Sequence, residues 1–183
     1  DRRDWSGIEE VDQAAHRPHT SATTAFEPPS RPPLVESGCA ARAADLIRQR
    51  RSAVAFDGVT PLAAASWFGM LDALLPRPEV PPLDAWSWSP RVHPLLFAHR
   101  IEGIAPGLYL LVRNGEKLAE LQAALHGEWE WARVEPAPAH LPLYRLSTGD
   151  AREAAQVISC HQDIAAASCF ALGFLTEFAD PLH

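Results

Sequence analysis

Cysteine is scarce in this chain: Cys39, Cys160 and Cys169 are the three among 183 residues, and no Cys-x-x-Cys occurs. That excludes a disulfide framework and points to a reducing, cytoplasmic setting. Long apolar runs are also missing. The most apolar stretch, Ile164 to Phe178, is too short and too polar to cross a bilayer, so no membrane partner is expected. The start, Asp1-Arg2-Arg3-Asp4-Trp5, lacks the apolar core of a signal peptide. Positive charge is in deficit: 16 basic against 23 acidic residues give a net charge of −7, which argues against non-specific nucleic-acid binding. There is no internal repeat and no low-complexity tract apart from a proline-rich linker, and residues 76–94 form a loop rich in Pro and Trp.

What is present is enough to fold. Hydrophobic residues make up 47% and charged residues 21%, and a chain of 183 residues can bury one substantial core. Residues 4–15 read as a short helix with Ile8, Val11 and Ala15 on one side. Residues 16–38 carry prolines at 18, 28, 29, 32 and 33, which fix φ and remove donors, so an extended linker that packs little on the domain is expected. Residues 1–40 are therefore a helix plus linker, and 41–183 the folded domain. Cys39 to Gln49 reads as a first core helix, with Ala40, Ala43, Ala44 and Ile47 at helical spacing. Thr60 and Pro61 suit the cap and first position of a second helix, whose apolar face holds Leu62, Ala65, Phe68, Met70, Leu71, Leu74 and Leu75. Segments 95–101 and 107–112 predict a hairpin, 116–125 a helix, 143–146 a strand, and 150–160 a helix. The alanine-rich run from Ile164 predicts helix through about Leu172. The pattern is α+β: a small, mostly antiparallel sheet covered by helices, with Phe56, Phe68, Leu71, Leu110 and Phe170 buried.

The residues with the most chemical content are Arg50, Arg51 and Ser52, where a helix pattern ends and an extended segment begins. Two planar, permanently charged guanidinium groups beside a hydroxyl suit phosphate oxygens. A solvated basic helix end is the plainer reading of the same residues, since cations favour a helix C-terminus.

The order helix, Arg50-Arg51-Ser52, Phe56, helix, strand, Gly107-Leu108-Tyr109, helix, then Cys160-His161-Gln162-Asp163-Ile164-Ala165 resembles the nitroreductase superfamily in its SagB-type dehydrogenase branch. The resemblance runs from about Ala41 to the end. It implies an FMN-dependent α+β oxidoreductase whose flavin sits between two similar subunits or halves. It also implies FMN as cofactor, a small-molecule substrate with NAD(P)H as a candidate electron donor, and either a homo-oligomer or pairing with a second nitroreductase-like half. Arg50, Arg51 and Ser52 match the segment that holds the FMN phosphate and ring edge, and Gln162 is a further candidate flavin contact. Relatives often carry a basic residue where Val54 stands, and a Ser-Ala-Gly loop where Ser89-Pro90-Arg91-Val92-His93-Pro94 stands. These departures imply an alternative: a degenerate, non-catalytic half of a tandem protein that serves as a structural interface. Asp4-Trp5 to Pro18 is similar to the linker between tandem copies. The family's last helix and closing strand would follow Phe178, so the chain is expected to be most of a second copy, incomplete at its C-terminal end and exposing apolar surface.

Other residues carry competing readings. Cys160 and His161, with Cys169, match no zinc spacing and suit packing better than a metal or a catalytic pair. Gln162 and Asp163 could approach a ligand or cap the following helix. Trp86, Trp88, Trp129 and Trp131 lie in loops, where they could wall a pocket, dock a partner or pack on the domain. His16 and His19 carry no specific role.

Overall fold

The computed structural model describes residues 7–16, 26–35 and 39–177. The start of the first expected helix, His19, most of the linker and the residues from Phe178 onward lie outside them. Five strands form one antiparallel sheet in the order β3-β4-β2-β1-β5: β1 is Val92–Ala98, β2 Gly107–Leu111, β3 Ala132–Arg133, β4 Leu143–Thr148 and β5 Phe170–Thr176. The expected hairpin is its centre. Leu95 pairs with Leu110 and Ala98 with Gly107, and a tight turn carries the Ile101–Ile104 bridge. The α+β sheet thus agrees with the sequence reading.

The sheet is covered on both faces because its central strands are apolar on both. Leu96, Ala98, Tyr109, Leu111 and Leu143 pack against Trp67, Phe68, Leu71 and Leu75 of helix α3 (Ala64–Asp72) and the turn after it. On the other face, Phe97 meets Ala155 of α5 (Arg152–Ile158) and Ala165 of α6 (Asp163–Ala167). Leu110, Val112 and Leu146 meet Leu118, Leu121 and Leu125 of α4 (Leu118–Ala124) and its end. Each fully buried leucine contributes about 1.5–3 kcal/mol relative to exposure.

Four expectations about helices and their packing between residues 39 and 176 are overturned. The first core helix is short, α2 (Ala43–Gln49), and no residue of it is buried; Leu46 and Ile47 are exposed. Phe56 is exposed as well. Both fall in a stretch, 41–57, that lies outside the sheet and its covering helices. Thr60 does not cap a helix. Its N–H and that of Val59 donate to Asp57 Oδ1 at 3.0 Å, and its hydroxyl donates to the other carboxylate oxygen. Leu62 then runs beside Ile101, receiving the Glu102 N–H at 2.9 Å and donating to Arg100 at 3.0 Å, so the helix begins only at Ala64. Finally, helix persists for five residues from Asp163 and gives way to β5, which pairs along the whole of β1. A full ladder with a central strand outweighs alanine's local helix preference. Phe68, Leu71 and Leu110 are buried as expected, and Phe170 is half-buried against the α3 side of the core.

The proline-rich segment is extended but not detached. Phe26 N–H donates to the Ser87 carbonyl at 2.8 Å, Arg31 to the Pro76 carbonyl at 2.8 Å, and Arg77 Nε to the Pro32 carbonyl at 3.0 Å. Arg77 is 4% exposed and pairs with buried Asp72 at 2.7 Å; His140 Nε2 lies 3.0 Å from the same carboxylate oxygen. One carboxylate therefore ties together α3, the 26–35 segment and the loop before β4. The other short helix, α1 (Ile8–Ala15), buries nothing, and Ile8 and Val11 are exposed.

Gly107 shows why glycine opens the Gly-Leu-Tyr strand. A Cβ there would meet the Ser147 carbonyl oxygen at 2.1 Å, beside the register shift between Leu108 and Tyr109. Backbone cannot yield as a flexible side chain does. Gly107→Ala should cost about 1–3 kcal/mol in urea denaturation, the typical penalty for forcing atoms into a packed site; an unchanged midpoint would contradict this.

Candidate functional site

Arg50, Arg51 and Ser52 follow α2 on an exposed segment. Arg51 Nη1 lies within hydrogen-bond reach of the carbonyls of Arg48, Gln49 and Arg50 at 3.0–3.3 Å, so this guanidinium caps the end of α2. The Arg50 guanidinium and the Ser52 hydroxyl make no hydrogen bond or ion pair with the described residues. The same segment of the chain carries large apolar side chains that the core does not use: Leu46, Ile47, Val54, Phe56 and Val59 are 47–92% exposed. A free cation and hydroxyl beside apolar surface can grip an anion at one end and a flat apolar body at the other. A second wall opposite them is not formed by the sheet or its covering helices.

Gln162 is exposed and precedes α6 as its cap residue, donating its N–H to the Ser159 carbonyl at 3.2 Å. No hydrogen bond or ion pair joins it to Arg50, Arg51 or Ser52 among the described residues. Asp163 makes no side-chain cap; its carboxylate accepts from Gln156 Nε2 at 2.5 Å, tying α6 to α5. Cys160 and His161 adopt left-handed φ of 56° and 59° in the turn between these helices, and Cys160 is exposed rather than packed. Among the described residues, no group of three His, Cys, Asp or Glu side chains could hold a metal ion.

The tryptophans divide between two roles. Trp129 and Trp131 pack on the cluster under α4. Trp86 and Trp88 stand half-exposed with ring centroids 4.9 Å apart and an interplanar angle of 65°. They wall a cleft of about 450 Å³ whose lining includes Phe26, Pro90, Arg91 and Arg113. Sequence composition marked the Pro- and Trp-rich loop but not its closure by Phe26 from the proline-rich segment. Arg113 is fixed there by bonds to the Leu74 and Val92 carbonyls at 2.7 and 3.3 Å, and burial lowers its pKa. Behind it, burial and then the Arg113 charge lower the His93 pKa, and neutral His93 accepts the Arg113 N–H on Nδ1 at 3.1 Å. None of Arg50, Arg51, Ser52 and Gln162 lines this cleft.

No protein-family model matches the chain, and no curated protein matches it either. Among the described residues, no helix is long and apolar enough to cross a membrane.

Proposed function

We propose that this chain is an FMN-dependent oxidoreductase domain of the nitroreductase-like, SagB-type kind, completed by a second nitroreductase-like half or a second copy. One observation carries the reading: among the described residues Arg50 and Ser52 are without partners, in an exposed segment that also carries the exposed Leu46, Ile47, Val54, Phe56 and Val59. The residues fit the phosphate end of the cofactor, with Arg50 as the charge-assisted donor and Ser52 as a neutral one. Arg51 joins only if it leaves the α2 carbonyls. The apolar side chains would exclude water from one side of the ring, and the partner would supply the other. When bound, the flavin supplies the hydride chemistry, with NAD(P)H as electron donor and a small molecule as substrate; a cytoplasmic setting suits that supply. The protein's part is to bind and orient.

A second reading is a non-catalytic half that serves as a structural interface. Two observations favour it: Arg51 spends its donors on a helix end, and Val54 is 92% exposed where relatives often place a base.

Titration of FMN into the protein and its assembled partner, followed by flavin fluorescence, separates the two. Arg50→Ala should weaken binding about ten-fold or more, equivalent to roughly 1.5–3 kcal/mol, and Ser52→Ala should cost less. Equal affinity in wild type and Arg50→Ala removes this segment from the site. No binding in any form leaves the interface reading.

A further inference from the structure

Strand β5 is one of the two edges of the sheet among the described residues, and the longer one; the other is the two-residue β3. The hydrogen-bonding phase of β5 is fixed by two facts. His99 N–H donates to the Cys169 carbonyl at 2.9 Å, and Ala98 stands opposite Phe170. In an antiparallel ladder, alternate residues point both backbone groups at the partner. Ala171, Gly173 and Leu175 therefore face β1, and Phe170, Leu172, Phe174 and Thr176 face outward. The Phe170 carbonyl is taken by the Ser168 hydroxyl at 2.8 Å, consistent with this phase. The backbone groups of Leu172 and Phe174 stay open among the described residues, and their side chains are 42% and 64% exposed.

Open edges invite pairing, and proteins usually block them with charge, proline or a bulge. The β5 sequence Phe-Ala-Leu-Gly-Phe-Leu-Thr has no charge and no proline, and its register with β1 is unbroken. We infer that β5 pairs with β5 of a second copy of this chain, joining two sheets across a two-fold axis near Gly173. The edge is self-complementary about that residue. Leu172 meets Phe174 of the second copy and Phe174 meets Leu172 of the second copy, and each pair exchanges both backbone hydrogen bonds. The like residues on the two strands lie on one face, so the four exposed side chains cover one another. An isologous contact of this kind closes at two subunits and does not propagate. Each copy carries a net charge of −7, so screening salt should tighten the contact. This inference uses other residues than the flavin reading and stands or falls without it.

Sedimentation of the full chain over a concentration series tests it, together with amide exchange. Wild type should reach twice the 20.0 kDa chain mass. The amides of Leu172 and Phe174 should be protected when concentrated and exchange at least ten-fold faster on dilution, while Gly173 and Leu175 stay protected by β1. Phe174→Lys should give a monomer. So should Leu172→Pro, which deletes only an N–H that points away from β1; circular dichroism checks that each variant is folded. Val157→Lys, at an exposed position of α5, should leave the dimer intact. A monomer at every concentration overturns the inference. So does a dimer that survives in folded Phe174→Lys, or protection of Leu172 and Phe174 that ignores dilution, which would assign the edge to another segment of the same chain.

Discussion

Asp72→Asn should destabilise the protein by about 3–5 kcal/mol, because it leaves a buried guanidinium without its counter-charge. Arg77 is 4% exposed, and Asp72 Oδ1 is its charged partner at 2.7 Å. The other Arg77 bonds, to the Asp72, Leu75 and Pro32 carbonyls, neutralise nothing. The same oxygen also holds His140 at 3.0 Å, so the loss extends to the loop before β4. Removing the carboxylate and the guanidinium together, as Asp72→Leu with Arg77→Met, should cost less than Asp72→Asn alone. An unpaired buried charge is worse than an apolar pair. Urea denaturation of the single and double variants checks the order. Proteolysis provides a second readout, since the 26–35 segment is held through Arg77 and Arg31 and should become the first site of cleavage. A single variant as stable as wild type would show that the pair contributes nothing.

Trp67→Ala should cost about 3–5 kcal/mol, the range for truncating a buried aromatic residue. Trp67 is fully buried, and its ring lies 5.6 Å from Phe68, 5.7 Å from Tyr109 and 6.3 Å from Phe170, so it joins α3 to β2 and β5 at once. Trp67→Phe should cost much less. The indole N–H is buried without a partner among the described residues, and such a group already costs roughly 1–3 kcal/mol, which the substitution recovers in part. Phe56→Ala, at an exposed position, should stay within about 0.5 kcal/mol of wild type. Thermal and urea unfolding of the three variants settle the ranking. A large loss in Phe56→Ala would show that the 41–57 stretch packs on something in solution.

The hairpin was legible, although 95–101 alternates poorly, because two short apolar segments, a tight turn between them and Gly107 all agree. Helix α5 and strand β4 were legible for the same reason, since local preference and tertiary role coincide there. The Ile164–Thr176 run misled because its alanines favour helix, whereas the open side of β1 offers a complete ladder. Trp67 carries no local mark of its importance; the turn that delays α3 to Ala64 sets which of its residues face the sheet. Arg50, Arg51 and Ser52 were legible as chemistry, and the plainer reading of a basic helix end holds for Arg51, whose guanidinium folds back on the α2 carbonyls.

Composition, charge and periodicity by themselves determined that this chain buries one core, builds an antiparallel hairpin and carries a cation-rich helix end. Those properties depend on residue type and near neighbours. The tertiary structure decided the rest: that the proline segment docks through Arg77, that Phe26 closes the tryptophan cleft, and that β5 is a strand with an open edge. Each of these is a choice between competing partners far apart in the chain, and only the assembled sheet sets which partner is within reach.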